Sequence, residues 1–486
     1  MTRTVSAWVS AGDEMLGAIG PFPVDIPWWS EAAPVVDRLE KLLGVPVLVL
    51  RLLAVDGGEG GRDGHVTYHV EALGRPASGV LERRSAGPGP LDGEEVLRSS
   101  WARSAGLREL LGWAEETLAA AGRPMTGPVE QRRTWNLSGL FRLPTARGPV
   151  WLKATPRFAA DETAVIAAFA RVDPAMVPVV LGAGERRVLM EHVPGVDCWQ
   201  PSARTLGAAL RRIVTAQAAL ADRGPARVLD GPSPWVRTDR TDGTDGTHSA
   251  DGMNPPNGTA LPRPGDGTPP SGAGDRRPAP SGVADRRPAP SGVADRRPAP
   301  SGVADRRAAR LVDAVHALLD GPAGKELTAQ ELLATRELTR RWDALADCGL
   351  PDTLVHGDFH PGNWRSDGGP PVVVDFADAH WGHPVLDGLR VHHFLHGPVR
   401  ATAARAWVDA WKACRPASDP ARALVLAEPL AQLAYAVRYQ EFLDGIETSE
   451  RVYHEGDPVD AIRAALRSAR SPSPYLASAG IPPGTS

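Results

Sequence analysis

The sequence predicts an α+β protein in which a small α+β unit precedes a strand-rich small lobe and a helical large lobe. Three observations predict it. Short apolar runs set off by Gly, Pro and Asp recur through residues 1–196. Helical periodicity takes over from Ala203. The 486 residues exceed what one compact core usually holds. The units are expected at 1–124, at 125–196 (the small lobe with a connecting hinge) and at 197–470 (the large lobe), with a flexible tail at 471–486.

In the first unit, TVSAWV and the run from Leu16 to Pro23 read as strands. Pro27 to Leu43 reads as an amphipathic helix with Val35, Val36, Leu39, Leu42 and Leu43 on one face. Val45 to Val55 and His65 to Leu73 read as two further strands, and a Gly/Pro-rich stretch near Pro88 leads to helices up to Ala121. No catalytic pattern falls in this unit. In the second, WNLSGLFRL and PVWLKA read as strands joined by a turn at Thr145 to Gly148. A helix follows from Ala159 to Ala170, and VPVVLGAGERRVLMEHVPG gives strand, turn, strand and a Pro-Gly stop. In the third, helices are expected at Ala203–Leu220, Ala308–Leu319 and Ala329–Ala346.

A segment at 238–307 interrupts the large lobe. It is built of Gly, Pro, Asp, Ser, Thr and Arg, and from Ser271 it carries a ten-residue repeat, SGAGDRRPAP, SGVADRRPAP, SGVADRRPAP, SGVADRRAAR. Such a unit cannot bury enough apolar surface to offset its ordering entropy, so it reads as a disordered insertion. Each Arg-Arg is accompanied by Asp, and the whole chain has a formal charge of −4, so nucleic acid is not an expected partner. Cys198, Cys348 and Cys414 show no C-x-x-C spacing and read as reduced thiols, which suits a cytoplasmic protein. The amino terminus has no apolar leader, and the longest apolar run, Val45 to Leu50, is too short to span a membrane. Oligomeric state is left open.

The chemistry is concentrated in LVHGDFHPGNWRSDGGPPVVVDFAD, Leu354 to Asp378. A loop presents the carboxylate of Asp358 and, five residues on, the amide of Asn363. A hairpin turning at Ser366–Gly369 then returns Asp375 at the end of an apolar strand. Phosphoryl transfer from ATP needs such parts: a carboxylate to position the attacking hydroxyl and oxygen ligands for Mg²⁺. Taken singly, Asp and Asn in a Pro-Gly loop are ordinary turn formers and an Asp after a strand is an ordinary cap. Their joint spacing is what carries the reading.

HGD-x-H-x-x-N followed by a strand ending in Asp resembles the aminoglycoside phosphotransferase and choline kinase family, which has a two-lobed protein-kinase-like fold. The resemblance runs from Pro128 to Arg467, apart from the insertion. It implies Asp358 as catalytic base, Asn363 and Asp375 as Mg²⁺ ligands, His356 as a brace of the catalytic loop and His360 as structural. Lys153 in VWLKA, one of only four lysines, would grip the ATP phosphates, paired with Glu162, while Asp161 caps the helix. The phosphate-covering loop is expected around Ser138 and Gly139, and the hinge at Glu191 to Val193 would offer backbone hydrogen bonds to adenine. Asp378 is read as turning its loop, and Asp387 as capping a helix or bracing the catalytic loop.

The implied function is transfer of the γ-phosphoryl group of Mg·ATP to a small-molecule hydroxyl, on an amino sugar, an amino alcohol or a related metabolite. The alternative is a catalytically weak kinase-fold binding or regulatory module. The acceptor is expected against Tyr439 to Asp460, where Glu441, Asp444 and Glu447 recur at helical spacing and would attract a cation; the alternative is an ordinary solvated helix face.

Overall fold

The structure, a computed structural model, describes residues 3–82, 95–229 and 302–471, together with 473, 474 and 476. The first unit contains β1 (Arg3–Ala11), β2 (Glu14–Val24), α1 (Ala33–Leu43), β3 (Val47–Asp56) and β4 (His65–Ala72). Its sheet has the order β2-β1-β4-β3, with β1 and β4 parallel and the other pairs antiparallel. Helix α1 buries Val35, Val36, Leu39 and Leu43 and stops at Gly44, whose φ of 69° suits a residue without Cβ. It begins later than the expected Pro27. The Trp29 N–H donates to the Gly61 carbonyl and its indole to the Asp63 carbonyl, which holds that stretch outside the helix.

The apolar run of β3 is buried on both faces. Val47, Val49 and Leu52 pack in the core of the first unit, whereas Leu48 and Leu50 pack with Trp101 and with Leu107 and Trp113 of α2 (Ser104–Ala120). That second core continues into the small lobe through Phe141, Leu152 and Leu189. A boundary at 124 therefore falls inside one hydrophobic cluster.

The small lobe comprises β5 (Glu130–Trp135), β6 (Ser138–Leu143), β7 (Val150–Ala154), α3 (Glu162–Ala170), β8 (Val180–Gly184) and β9 (Arg187–Glu191). The sheet order is β5-β6-β7-β9-β8, antiparallel throughout. Strand β5 carries no apolar alternation and was not expected. Its buried Gln131 exchanges two side-chain hydrogen bonds of 2.7 Å with the N–H and C=O of Val49, doing with an amide what a paired strand does with its backbone. The hairpin turn consequently falls at Asn136–Leu137, inside the stretch read as a single strand.

The large lobe adds β10 (Val196–Asp197), α4 (Ala203–Ala221), α5 (Pro225–Leu229), β11 (Ala304–Arg306), α6 (Ala308–Asp320), α7 (Pro322–Lys325), α8 (Ala329–Leu338), α9 (Arg341–Ala346), β12 (Thr353–Val355), β13 (Trp364–Ser366), β14 (Val372–Val373), β15 (His380–Gly382), α10 (Val385–His393), α11 (Pro398–Cys414), α12 (Pro420–Gly445) and α13 (Asp457–Arg470). A 3₁₀ segment, Thr448–Tyr453, joins the last two. Helices α4, α6, α10, α11, α12 and α13 share one apolar core with Phe359, Trp364 and Phe376 of the segment that follows β12. No described helix is long and apolar enough to cross a membrane.

Two expectations about irregular segments are corrected. Most repeats of the insertion expected at 238–307 lie outside the described residues. Its end, from Gly302, does not belong to it: Val303 is buried, Asp161 N–H donates to the Gly302 carbonyl, and β11 pairs in parallel with β15. The last repeat reads RRAAR where the others read RRPAP, so helix α6 can start at Ala308. The tail at 471–486 is likewise anchored in part. Leu476 is buried in the large-lobe core and Ser473 N–H donates to Glu428.

Candidate active site

Strand β12 delivers His356-Gly357-Asp358 to the face of the large lobe. Gly357 has φ 88°, and a Cβ there would lie 2.1 Å from the Asp378 carbonyl oxygen, so the motif needs glycine. From α10, Asp387 accepts the N–H groups of His356 (2.8 Å) and Gly357 (2.9 Å) and the amide of Gln217 (2.7 Å). It braces the catalytic loop. Burial pushes its carboxyl up to about 7 against these three donors, which favour the ionised form. His356 accepts the Asp358 N–H on Nδ1, so its Nε2–H donates to the Val374 carbonyl (3.1 Å). Burial lowers its pKa, in keeping with this neutral tautomer.

Asp358 is held on both oxygens. Asn363 Nδ2 donates to Oδ2 and to the Asp358 carbonyl, each at 3.0 Å. His360 takes the Gly362 N–H on Nδ1, so the 3.3 Å contact to Asp358 Oδ2 comes from Nε2–H. Arg390 Nε lies 2.7 Å from Oδ1. Burial alone would raise the Asp358 carboxyl, but Arg390 and His360 outweigh it and hold it well below the usual carboxylate range. The sequence reading missed Arg390. It stands three residues after Asp387 on the same helix, hence on the same face, which is the one signal that could have found it.

Asp375 follows β14 with φ 66° and keeps a side chain 47% exposed. Lys153 of β7 meets it: Nζ is 2.6 Å from Asp375 Oδ1 and 2.9 Å from Glu162 Oε1. The same Glu162 oxygen accepts the Phe376 N–H at 2.8 Å, fastening α3 to the loop after Asp375. Asp161 caps α3 by accepting from Thr163 and Ala164. Burial would lower the Lys153 pKa, yet the two carboxylates outweigh it and keep the ammonium charged.

The remaining expected positions are placed differently from one another. Ser138 and Gly139 lie on β6 beyond the hairpin turn. Ser138 Oγ accepts from the Trp135 indole, and a Cβ on Gly139 would meet Trp101, away from the tip. The tip itself is pinned: Asn136 donates to the Glu450 carbonyl (3.3 Å). At the hinge, Glu191 N–H donates to Val179 and its carboxylate pairs with Arg123, while the Val193 carbonyl accepts from Arg365 (3.1 Å). Asp378 pairs with Arg438 at 2.5 Å. The acidic face is not a face. Glu441 pairs with Arg306 and Arg438, and α12 ends at Gly445, so Glu447 leaves the helix and turns inward to Arg51 and Arg98.

A strand lysine paired with a helix glutamate, facing an Asp–Asn loop and a second aspartate, defines a kinase-like phosphotransferase of two lobes. Residues 140–425 match the model of the phosphotransferase enzyme family, and the chain belongs to that family. It is a small-molecule kinase. Among solved structures it is similar to a choline/ethanolamine kinase family protein from Mesorhizobium loti (17% identity, 76% of this chain and 99% of that one, TM-score 0.41). It is also similar to a macrolide 2'-phosphotransferase from Brachybacterium faecium (16% identity, 74% and 98%, TM-score 0.40). No curated protein matches the chain.

Proposed function

We propose that the protein transfers the γ-phosphoryl group of Mg·ATP to a hydroxyl of a small molecule, with Asp358 as the group that receives the acceptor. The observation that carries this is the Lys153–Glu162–Asp375 ion triad in the same site as the Asp358–Asn363 pair. Lys153 would hold the nucleotide phosphates, and the hinge at Glu191 to Val193 would meet the base. For Mg²⁺ the residues fit. Asn363 Oδ1 and the second oxygen of Asp375 have no hydrogen-bond partner among the described residues, and two oxygen ligands plus phosphate oxygens and water suit that ion. The ion would neutralise charge on the transferred group.

Asp358 accepts the hydroxyl hydrogen bond and takes its proton as the acceptor oxygen bonds to the γ-phosphorus. The bond from that phosphorus to the β,γ-bridging oxygen breaks, leaving ADP. A carboxylate held this far below its usual range is a weak base, so it acts first by aiming the hydroxyl, as a loose transition state requires. Glu441 and Glu447, read as part of an acidic face, pair with arginines instead, which removes that support for an amino-sugar or amino-alcohol acceptor. The test is Mg²⁺-dependent ADP release with a broad panel of alcohols. Asp358→Asn should lower turnover about 10²- to 10⁴-fold, the range for a general base, while nucleotide still binds. Full turnover in that variant, or no transfer by the native protein to any alcohol, would remove the proposal.

A further inference from the structure

We infer that the acceptor is an alcohol carrying an anionic group, carboxylate or phosphate, beside its reacting hydroxyl, and that Arg390 is the residue that selects it. The inference rests on the phosphotransferase reading above and deepens it. Its first support is the position of Arg390. Its Nε lies 2.7 Å from Asp358 Oδ1, the oxygen that Asn363 and His360 leave free, since both bind Oδ2. Among the described residues Asp358 is its only hydrogen-bond partner, through Nε, which leaves the two terminal NH₂ groups for another oxygen.

The second support is the aromatic wall around it. Arg390 stands 4.9 Å from the ring centres of both Phe394 and Tyr435. His360 stacks on Phe394 at 4.0 Å, and Trp199, 52% exposed, lies 5.5 Å from His360 and 6.0 Å from Phe394. Ring faces of this kind attract a cation. Here the protein supplies the cation itself, so a second one on the acceptor would meet like charge at close range.

The third support is the pairing of the neighbouring carboxylates. Asp358 faces Arg390, Asp378 faces Arg438, and Glu441 faces both Arg438 and Arg306. An ammonium acceptor finds each of these carboxylates already matched. An anionic acceptor finds the terminal nitrogens of Arg390, and the wall holds a further donor, the buried Tyr435 hydroxyl, with no partner among the described residues. Arginine suits carboxylate and phosphate alike, because its planar fork can give two parallel hydrogen bonds. Because Arg390 is itself in contact with Asp358, hydrogen bonds to the two groups put the hydroxyl and the anion on nearby carbons.

Four small probes decide it: glycerate, glycerol 3-phosphate, glycerol and ethanolamine, each titrated calorimetrically into the full-length protein with and without Mg·ADP. The first two separate carboxylate from phosphate. At least one of them should bind ten times or more tighter than glycerol, and less tightly as salt rises, while ethanolamine gains nothing over glycerol. Arg390→Met should erase the preference and Arg390→Lys keep part of it, both with native Mg·ADP affinity. Anions that bind no better than glycerol, a preference for ethanolamine, or a preference that survives Arg390→Met would overturn the inference. If Arg390→Met does not fold, the native ranking and its salt dependence decide alone. A native protein that binds no Mg·ADP would instead overturn the phosphotransferase reading.

Discussion

The Asp358 loop and the β5–β6 hairpin tip are held by opposite means. Around Asp358 most partners are near in sequence: Asn363 is 5 residues away, Val374 is 18 from His356, and Asp387 is 31 from His356. The β5–β6 tip is held from afar. Asn136 reaches Glu450 across 314 residues, Leu52 N–H reaches the same Glu450 across 398, and Arg51 reaches Glu447 across 396. The 3₁₀ segment after α12 thus ties the first unit and the β5–β6 tip to the large lobe. Tyr453 and His454 pack against Trp135 beside this tie. The Asp358 loop keeps its geometry through near neighbours, whereas the hairpin tip depends on the whole chain having folded.

Substitutions in either region test this difference. The largest effect is expected at the junction. Glu447 is 6% exposed, as are Arg51 and Arg98, so Glu447→Ala removes the shared partner of two buried guanidiniums. A cost of about 3–5 kcal/mol is expected in denaturant unfolding, typical of a broken buried pair. A loss under about 1 kcal/mol, the surface-pair range, would show that the junction is not a structural tie. At the catalytic loop, Asp387→Asn leaves one acceptor oxygen and turns an NH₂ toward N–H donors. About 1–3 kcal/mol is expected, with a matching fall in turnover as His356 and Gly357 lose their anchor. Unchanged stability and rate would show that Asp387 does not set the loop.

The smallest effect is a change in pH dependence. Burial pushes Glu450 up from its ordinary 4.5 to about 8. The native state then keeps a proton that the unfolded state has released between these values. Stability from this group is therefore full below about pH 4.5 and is lost as pH rises toward 8. Glu450→Gln cannot titrate, so its melting temperature should gain on the native protein across that window and run parallel to it outside. Parallel curves throughout would contradict the buried, protonated carboxyl.

What could be read from the sequence follows the same division. The HGD loop, Asn363, Asp375 and the strand lysine are near-neighbour patterns, and the kinase order of strands and helices was visible from apolar periodicity. Strand β5 was not, because its inward residues, Gln131 and Thr134, are polar and satisfied by the backbone of β3. The acidic run Glu441–Glu450 was misleading for the same reason: its arginine partners lie in α12 itself, in β11 and in the first unit. Arg390 was hidden because a single arginine in a helix carries no motif. The fate of the last repeat copy turned on two prolines replaced by Ala308 and Arg310.

If the Lys153–Glu162–Asp375 triad and Asn363 form a Mg·ATP site, ATP binding depends on the ion and on the lysine. Calorimetric titration of ATP into the folded protein, with and without Mg²⁺, tests it most directly. Saturable binding that requires Mg²⁺ and weakens at least about tenfold, or 1.4 kcal/mol, in folded Lys153→Met is expected. Binding that ignores Mg²⁺, or that is equally tight in that variant, would contradict it.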